Sequence, residues 1–322
     1  MRFRSTTSRL AGLVLATLIG ASAAQAQETK VAIGISGWTG FAPLTLAKEA
    51  GIFKANGLDV SIKKIPQKDR HLAIASGDIQ CAATTVETWI VWNANGIATT
   101  QLFKMDQGMG SDGIVARNTI SKVADLKGKT VAASAPGTNP HFTLAWILKK
   151  NGLTLKDVNL VTLEPAPAAN AFVAGTGNLD AAVTYEPYLS LVRDKPESGK
   201  LIADSLQYPM VFDTFGCTPK FIKENPKAAK ALTESYFQAL EMINKEPKKA
   251  FTIMGADVKQ TPEQFEKSQS KIKWADREAN KKFFNGEIQA FNKEAAELLL
   301  EIGVIKAKPA NLDTLFDTTF LN

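Results

Sequence analysis

Four short stretches gather side chains able to hold a polar solute: Ser36 to Phe41, Thr84 to Thr88, Gly137 to His141 and Thr184 to Pro187. Trp38 stands in a glycine-flanked turn, where an indole would wall a binding space. Thr39, Thr84, Thr85, Thr138 and Asn139 are short donors or acceptors. His141 could donate to an anionic group or serve as a structural helix-start histidine. Tyr185 adds a second aromatic. Glu87, Asp112 and Glu186, with Asp106 close by in the chain, are carboxylates that would pair with an ammonium, amidine or urea-like group. Phe215 is an aromatic that could cover the same solute or pack elsewhere. Each residue also has an ordinary structural use. Thr84-x-x-Glu87 reads equally as a capping box, Pro187 as a helix-start proline, and the acids as a hydrogen-bond network of their own.

Nothing in the chain asks for catalysis. There is no Gly-x-Ser-x-Gly elbow, no phosphate-binding loop of the Walker type and no dinucleotide glycine fingerprint. Two histidines and two cysteines leave few nucleophile–base pairs. His71 falls in a surface helix, and no His/Cys/Asp/Glu group has zinc spacing. No catalytic residue, metal or cofactor is therefore expected.

The elements that must carry these stretches recur. Val31 to Ile35, Leu58 to Ile65 and Ile79 to Ala83 read as strands, with helices at Pro43 to Ala50 and Asp69 to Ser76, and the third strand runs into Thr84-Thr85-Val86-Glu87 and another helix. Glycines stop the first two helices. Lys129 to Ala133, Val158 to Leu163 and Leu179 to Val183 repeat the pattern, with helices at His141 to Asn151, up to Ala174, and after Pro187. Ser76-Gly77-Asp78-Ile79-Gln80-Cys81-Ala82-Ala83-Thr84 lies alongside Thr176-Gly177-Asn178-Leu179-Asp180-Ala181-Ala182-Val183-Thr184. Each unit is strand–helix three times over, which predicts a mostly parallel sheet with helices on both faces. In such sheets ligands sit beyond the carboxyl ends of strands, where helix N-termini offer unpaired N–H groups and partial positive charge. The four stretches fall at such ends, two in each unit. Ser111 to Ala116 and Thr214 to Thr218 read as the two connections between the units. Beyond Pro226 the periodicity is helical, over Ala228 to Asn244, Pro262 to Lys271, Glu278 to Leu300 and a short piece near Leu312, packing mainly on the first unit.

The start of the chain reads as an address. Arg2, Arg4 and Arg9 precede an apolar stretch from Leu10 to Ile19 and a small-residue Ala24-Gln25-Ala26. That is the pattern of a cleaved secretory signal peptide, and its apolar part is far under the roughly 20 residues a membrane helix needs. Removal of residues 1–26 would take three arginines and no acid, leaving 35 basic against 32 acidic residues, a net charge of +3. No basic stripe suggests nucleic acid. Cys81 and Cys217 are the two cysteines. Export permits a bridge between them. Two buried free thiols are the favoured reading.

Gly37-Trp38-Thr39-Gly40-Phe41-Ala42-Pro43-Leu44, Ala47-Lys48-Glu49-Ala50-Gly51-Ile52-Phe53, Asp125-Leu126-Lys127-Gly128-Lys129-Thr130-Val131 and Tyr185-Glu186-Pro187 are familiar together. They resemble the family of periplasmic ABC-importer binding proteins for nitrate, taurine and aliphatic sulfonates (NMT1/THI5-like), and the likeness runs over nearly all of the chain after the leader. The resemblance implies a periplasmic-binding-protein-like type II α/β fold: two lobes, each with a mostly parallel sheet flanked by helices, joined by two crossover strands. Residues 27–115 and 215–322 would form lobe 1 and 116–214 lobe 2. It also implies a periplasmic monomer that closes on a small-molecule ligand and delivers it to permease and ATPase subunits. A ligand with an amine at one end and an anion at the other, such as taurine, fits both tendencies of the site. Alternatives are a thiamine-pyrimidine-precursor or urea-like binder, a sensor domain, or a thiamine pyrimidine synthase, whose cysteine cluster is absent here.

Overall fold

A computed structural model describes residues 28–321; the expected leader, 1–26, lies outside the described residues. The chain builds two sheets. In the first, β1 (Thr29–Ile35), β2 (Leu58–Lys64) and β3 (Cys81–Thr85) are parallel, and β4 (Thr100–Gly108) completes the first pass. The chain then crosses to a second sheet made of β5 (Asp112–Ala116), β6 (Thr130–Ala133), β7 (Asn159–Thr162), β8 (Ala181–Tyr185) and β9 (Lys200–Asp204). It returns with β10 (Phe212–Cys217) and adds β11 (Ile272–Trp274) at the edge of the first sheet. The orders are β11-β4-β10-β3-β1-β2 and β7-β6-β8-β5-β9. Each sheet thus places its first parallel strand between the second and third, and sets an antiparallel strand against the third.

That antiparallel strand is the one that has just arrived from the other lobe. The expected boundaries at 115/116 and 214/215 fall inside β5 and β10. Pairing puts Asp112 to Val115 in the second sheet, beside Tyr185 to Ala182, and Phe212 to Thr214 in the first, beside Asp106 and Lys104. The crossings themselves are residues 109–111 and 205–211.

The helices of the first lobe are α1 (Ala42–Glu49), α2 (Ile52–Ala55), α3 (Gln67–Ser76) and α4 (Val86–Ala94); those of the second are α5 (Asn139–Lys150), α6 (Pro165–Ala174) and α7 (Tyr188–Arg193). Strands β3 and β8, of composition CAATT and AAVTY, are buried along their whole length, as strands covered on both faces are. After β10 come α8 (Pro219–Glu224), α9 (Pro226–Lys245), α10 (Pro247–Asp257), α11 (Pro262–Gln269), α12 (Arg277–Lys282) and α13 (Ile288–Glu301). The 20-residue α9 buries Leu232, Tyr236 and Phe237, and the Tyr236 hydroxyl donates to the Met105 carbonyl on β4. The single helix expected over Glu278 to Leu300 is broken, because Asn285 leaves helical geometry and Gly286 takes φ 121°, a value open to glycine.

Two corrections concern the cysteines and Phe215. Cys81 and Cys217 are joined in a disulfide. The antiparallel pairing of β3 with β10 sets them directly opposite each other, a neighbourhood that a separation of 136 residues conceals. Phe215 is fully buried and stacks on Phe103, with ring centroids 4.9 Å apart; Phe103 stacks in turn on Tyr236. Phe215 is core of the first lobe.

Candidate functional site

The carboxyl ends of β1, β2, β3, β6 and β8 face one another across the gap between the lobes. A narrow space of about 20 Å³ lies there, lined from the first lobe by Ser36, Trp38, Phe41, Gln67, Arg70, Thr84, Thr85 and Asp213, and from the second by Asp112, Asn139 and Tyr185. Trp38 and Tyr185 meet edge to face across the gap, 5.4 Å between ring centroids. The Thr39 N–H donates to the Glu186 carbonyl at 3.3 Å, a second tie between the lobes. A wider groove of about 630 Å³ opens outside this seam, bordered by Gly37, Lys64, Tyr188, Leu191 and Lys267. It lacks the buried carboxylates that converge on the inner space.

Carboxylates dominate the inner space. Asp112, first residue of β5, accepts from Asn139 Nδ2 and from the Ser111 hydroxyl, both at 2.9 Å. Asp213 stands opposite both Thr85 and Asp106 in the sheet register. Asp106 is fully buried, and neither of its oxygens has a hydrogen-bond partner in good geometry. The Trp38 indole N–H lies beside it, also without a partner, and a Cβ at Gly40 would strike both groups. Glu87 accepts the Thr85 hydroxyl at 2.5 Å on one oxygen and leaves the other buried and unpaired. Burial pushes all four acids up: Glu87 to about 8, Asp106 and Asp112 to about 7, and Asp213 well above its ordinary value, with repulsion from Asp112 adding at Asp106 and from Asp106 and Asp112 at Asp213. Desolvation disfavours the charged form of a buried carboxylate, and at Asp106 the attraction of Lys104 offsets only part of it.

One cation shares the space. Arg70 is fully buried on α3 and donates from its two terminal nitrogens to the Ala83 and Ile65 carbonyls, at 2.5 and 3.0 Å; its Nε has no partner. Burial lowers it to about 10, so it keeps its charge at neutral pH.

The other expected residues fall beside the space. Thr39 is buried with its hydroxyl unpartnered. Thr138 donates to the Ala135 carbonyl. His141 is buried in the first turn of α5, its Nδ1 without a partner, and burial lowers it to about 4. Glu186 is engaged within its own lobe by Arg193 and by the Ser190 N–H. The capping box between Thr84 and Glu87 does not form, since α4 starts one residue later, with Thr85 at its N-cap. Sequence reasoning missed Ser36, Phe41, Gln67, Arg70 and Asp213. The first two fall within the expected Ser36 to Phe41 loop. Gln67 and Arg70 follow β2, the one strand end of the first unit left unread. Asp213 enters because β10 runs antiparallel, which brings its start to the same edge.

Residues 38–250 match the model of the family described as NMT1/THI5-like. The protein YtlA of Bacillus subtilis is 29% identical over 223 residues, covering 66% of this chain and 65% of YtlA, just under two thirds of its length. The taurine-binding periplasmic protein of Escherichia coli K12 is 27% identical over 222 residues, 67% of each chain. In structure, the alkanesulfonate-binding protein SsuA of Xanthomonas axonopodis pv. citri, bound to MOPS, superposes with a TM-score of 0.75 at 18% identity, covering 91% of this chain and 100% of that one. At that identity the likeness shows the two-lobed fold. Among the described residues no helix is long and apolar enough to cross a membrane.

Proposed function

The chain belongs to the NMT1/THI5-like family, and from that premise we propose that it is the extracytoplasmic solute-capturing subunit of an ABC importer. It catalyses nothing; it closes its two lobes on a small solute that carries an amine. The observation that carries this reading is the cluster of buried acids: Asp112 and Asp213 line a space walled by Trp38, Phe41 and Tyr185, and Asp106 and Glu87 are buried beside its lining residues Trp38 and Thr85. An ammonium would draw these acids to their ionised form, pair with it and lie against aromatic faces that attract cations. Arg70 can serve an anionic or carbonyl group at the other end of the same molecule. Taurine has this two-ended character, and the relative that binds it supports the choice. A flat aminopyrimidine is the second reading, supported by the aromatic walls.

Titration calorimetry with taurine, ethanesulfonate, nitrate, a urea derivative and an aminopyrimidine tests the proposal. Heat is expected with at least one amine-bearing compound, which mass spectrometry should recover unchanged. Silence from every amine-bearing compound would overturn the reading. Secretion is tested by the first residue of the exported protein, expected to be Gln27.

A further inference from the structure

The N-terminus of α5 reaches the inner space through Asn139. The helix has 12 residues, Pro140 brings no N–H, and no side chain of the local sequence caps the start, since the Thr138 hydroxyl turns away to the Ala135 carbonyl. Its cap comes from the other lobe. Gln67 Oε1, the first residue of α3, accepts the Asn139 N–H at 3.0 Å. The same amide donates from Nε2 toward the hydroxyls of Thr84, Thr88 and Thr85, at 2.8, 2.9 and 3.2 Å, two of which it can serve at once. These hydroxyls fix its orientation. Turned over, the amide would bring its NH2 against the Asn139 N–H. Three residues along the same helix, the buried Arg70 Nε faces no acceptor.

We propose that Gln67 sets the specificity of this cleft by occupying, with its own carbonyl, the helix-start N–H that a nitrate or sulfonate oxygen would take. This rests on the capture function proposed above and narrows its substrate class. A small oxyanion finds the Asn139 N–H already engaged and Asp112 and Asp213 lining the same space. A solute is then selected by its amine end, and a sulfonate without an amine is turned away. Arg70 is the one charged donor left to an acceptor group.

The test compares the mature wild-type protein with Gln67→Ala and Gln67→Glu by calorimetry, using ethanolamine as the amine without an oxyanion and ethanesulfonate as the oxyanion without an amine. The wild type should bind ethanesulfonate at least about tenfold more weakly than ethanolamine, a difference of one charge-assisted hydrogen bond or more. Gln67→Ala frees the Asn139 N–H and the threonine hydroxyls and should tighten ethanesulfonate by about tenfold relative to ethanolamine. Gln67→Glu keeps the side-chain length and adds a charge at the helix start, so it should weaken ethanesulfonate further; it also reads the proposal should the alanine variant fold poorly. Unchanged ethanesulfonate binding in both variants, an equal gain for the two probes in Gln67→Ala, or a wild type that already takes both probes equally would overturn the assignment. Gain of ethanesulfonate by Gln67→Ala in a protein that ignores ethanolamine would uphold the role of Gln67 and sink the amine-capture reading.

Discussion

At the scale of single residues, the acids of the cleft couple folding to pH. Glu87 holds its proton up to about 8 when buried, against an ordinary value of 4.5. Its contribution to stability is complete below about pH 4.5 and is lost as pH rises through 8. Asp112 acts in the same direction, up to about 7. His141, lowered to about 4, opposes them only below its ordinary value of 6.5, and Lys104, lowered to about 8, only above that. Between pH 6.5 and 8 the acids set the slope, so the melting temperature of the ligand-free protein should fall. Glu87→Gln, which keeps an acceptor for the Thr85 hydroxyl, should flatten that fall; a variant as steep as the wild type would remove Glu87 from the account. Trp38, Asp112, Asn139 and Tyr185 were legible because they sit directly at strand ends that pattern alone locates. Gln67 and Arg70 were not. On an amphipathic helix, glutamine and arginine usually mark the solvent face, and only packing shows that α3 points its first turn into the cleft.

At the scale of elements, the repeated strand–helix pattern located six parallel strands to within about two residues, the usual uncertainty of element ends. Strands β4, β9 and β11 and helices α2, α8 and α10 went unread. The edge strand β11 has only three residues, and the periodicity of α10 is short. The disulfide ties β10, the strand on which the chain re-enters the first lobe, to β3, whose end carries Thr84 and Thr85. Closing so long a loop restricts the unfolded chain, and replacing both cysteines by serine should cost roughly 2–4 kcal/mol. Chemical denaturation would measure it. A double variant as stable as the oxidised wild type would mean that the sheet alone holds β10 in register.

At the scale of the whole molecule, the two lobes meet on both sides of the cleft. On one side α5 packs on α13 through Phe142, Trp146 and Phe291, with Lys149–Glu301 and Lys150–Glu294 pairs at the surface. Exposed pairs of this kind contribute little, so the aromatic contact is the firmer one. On the other side Gly37 faces the Tyr188 hydroxyl so closely that a Cβ would lie 2.7 Å from it. Gly37→Ala should therefore hold the lobes apart. Small-angle scattering is expected to show a larger radius of gyration than wild type in the presence of saturating ligand, and calorimetry weaker binding. Equal radii and affinities would show that the seam tolerates the methyl group. The alternation of strand and helix, read from the chain alone, determined the class of fold, the duplication of the lobes and the edges at which a ligand would be held, because these follow from local periodicity and turn chemistry. Only the tertiary structure decided which acids stand unpaired, that Cys81 meets Cys217, that Phe215 belongs to the core, and that Gln67 reaches across to α5. Those facts depend on residues far apart in the chain being brought to one place, and on the loss of water there, which no local pattern records.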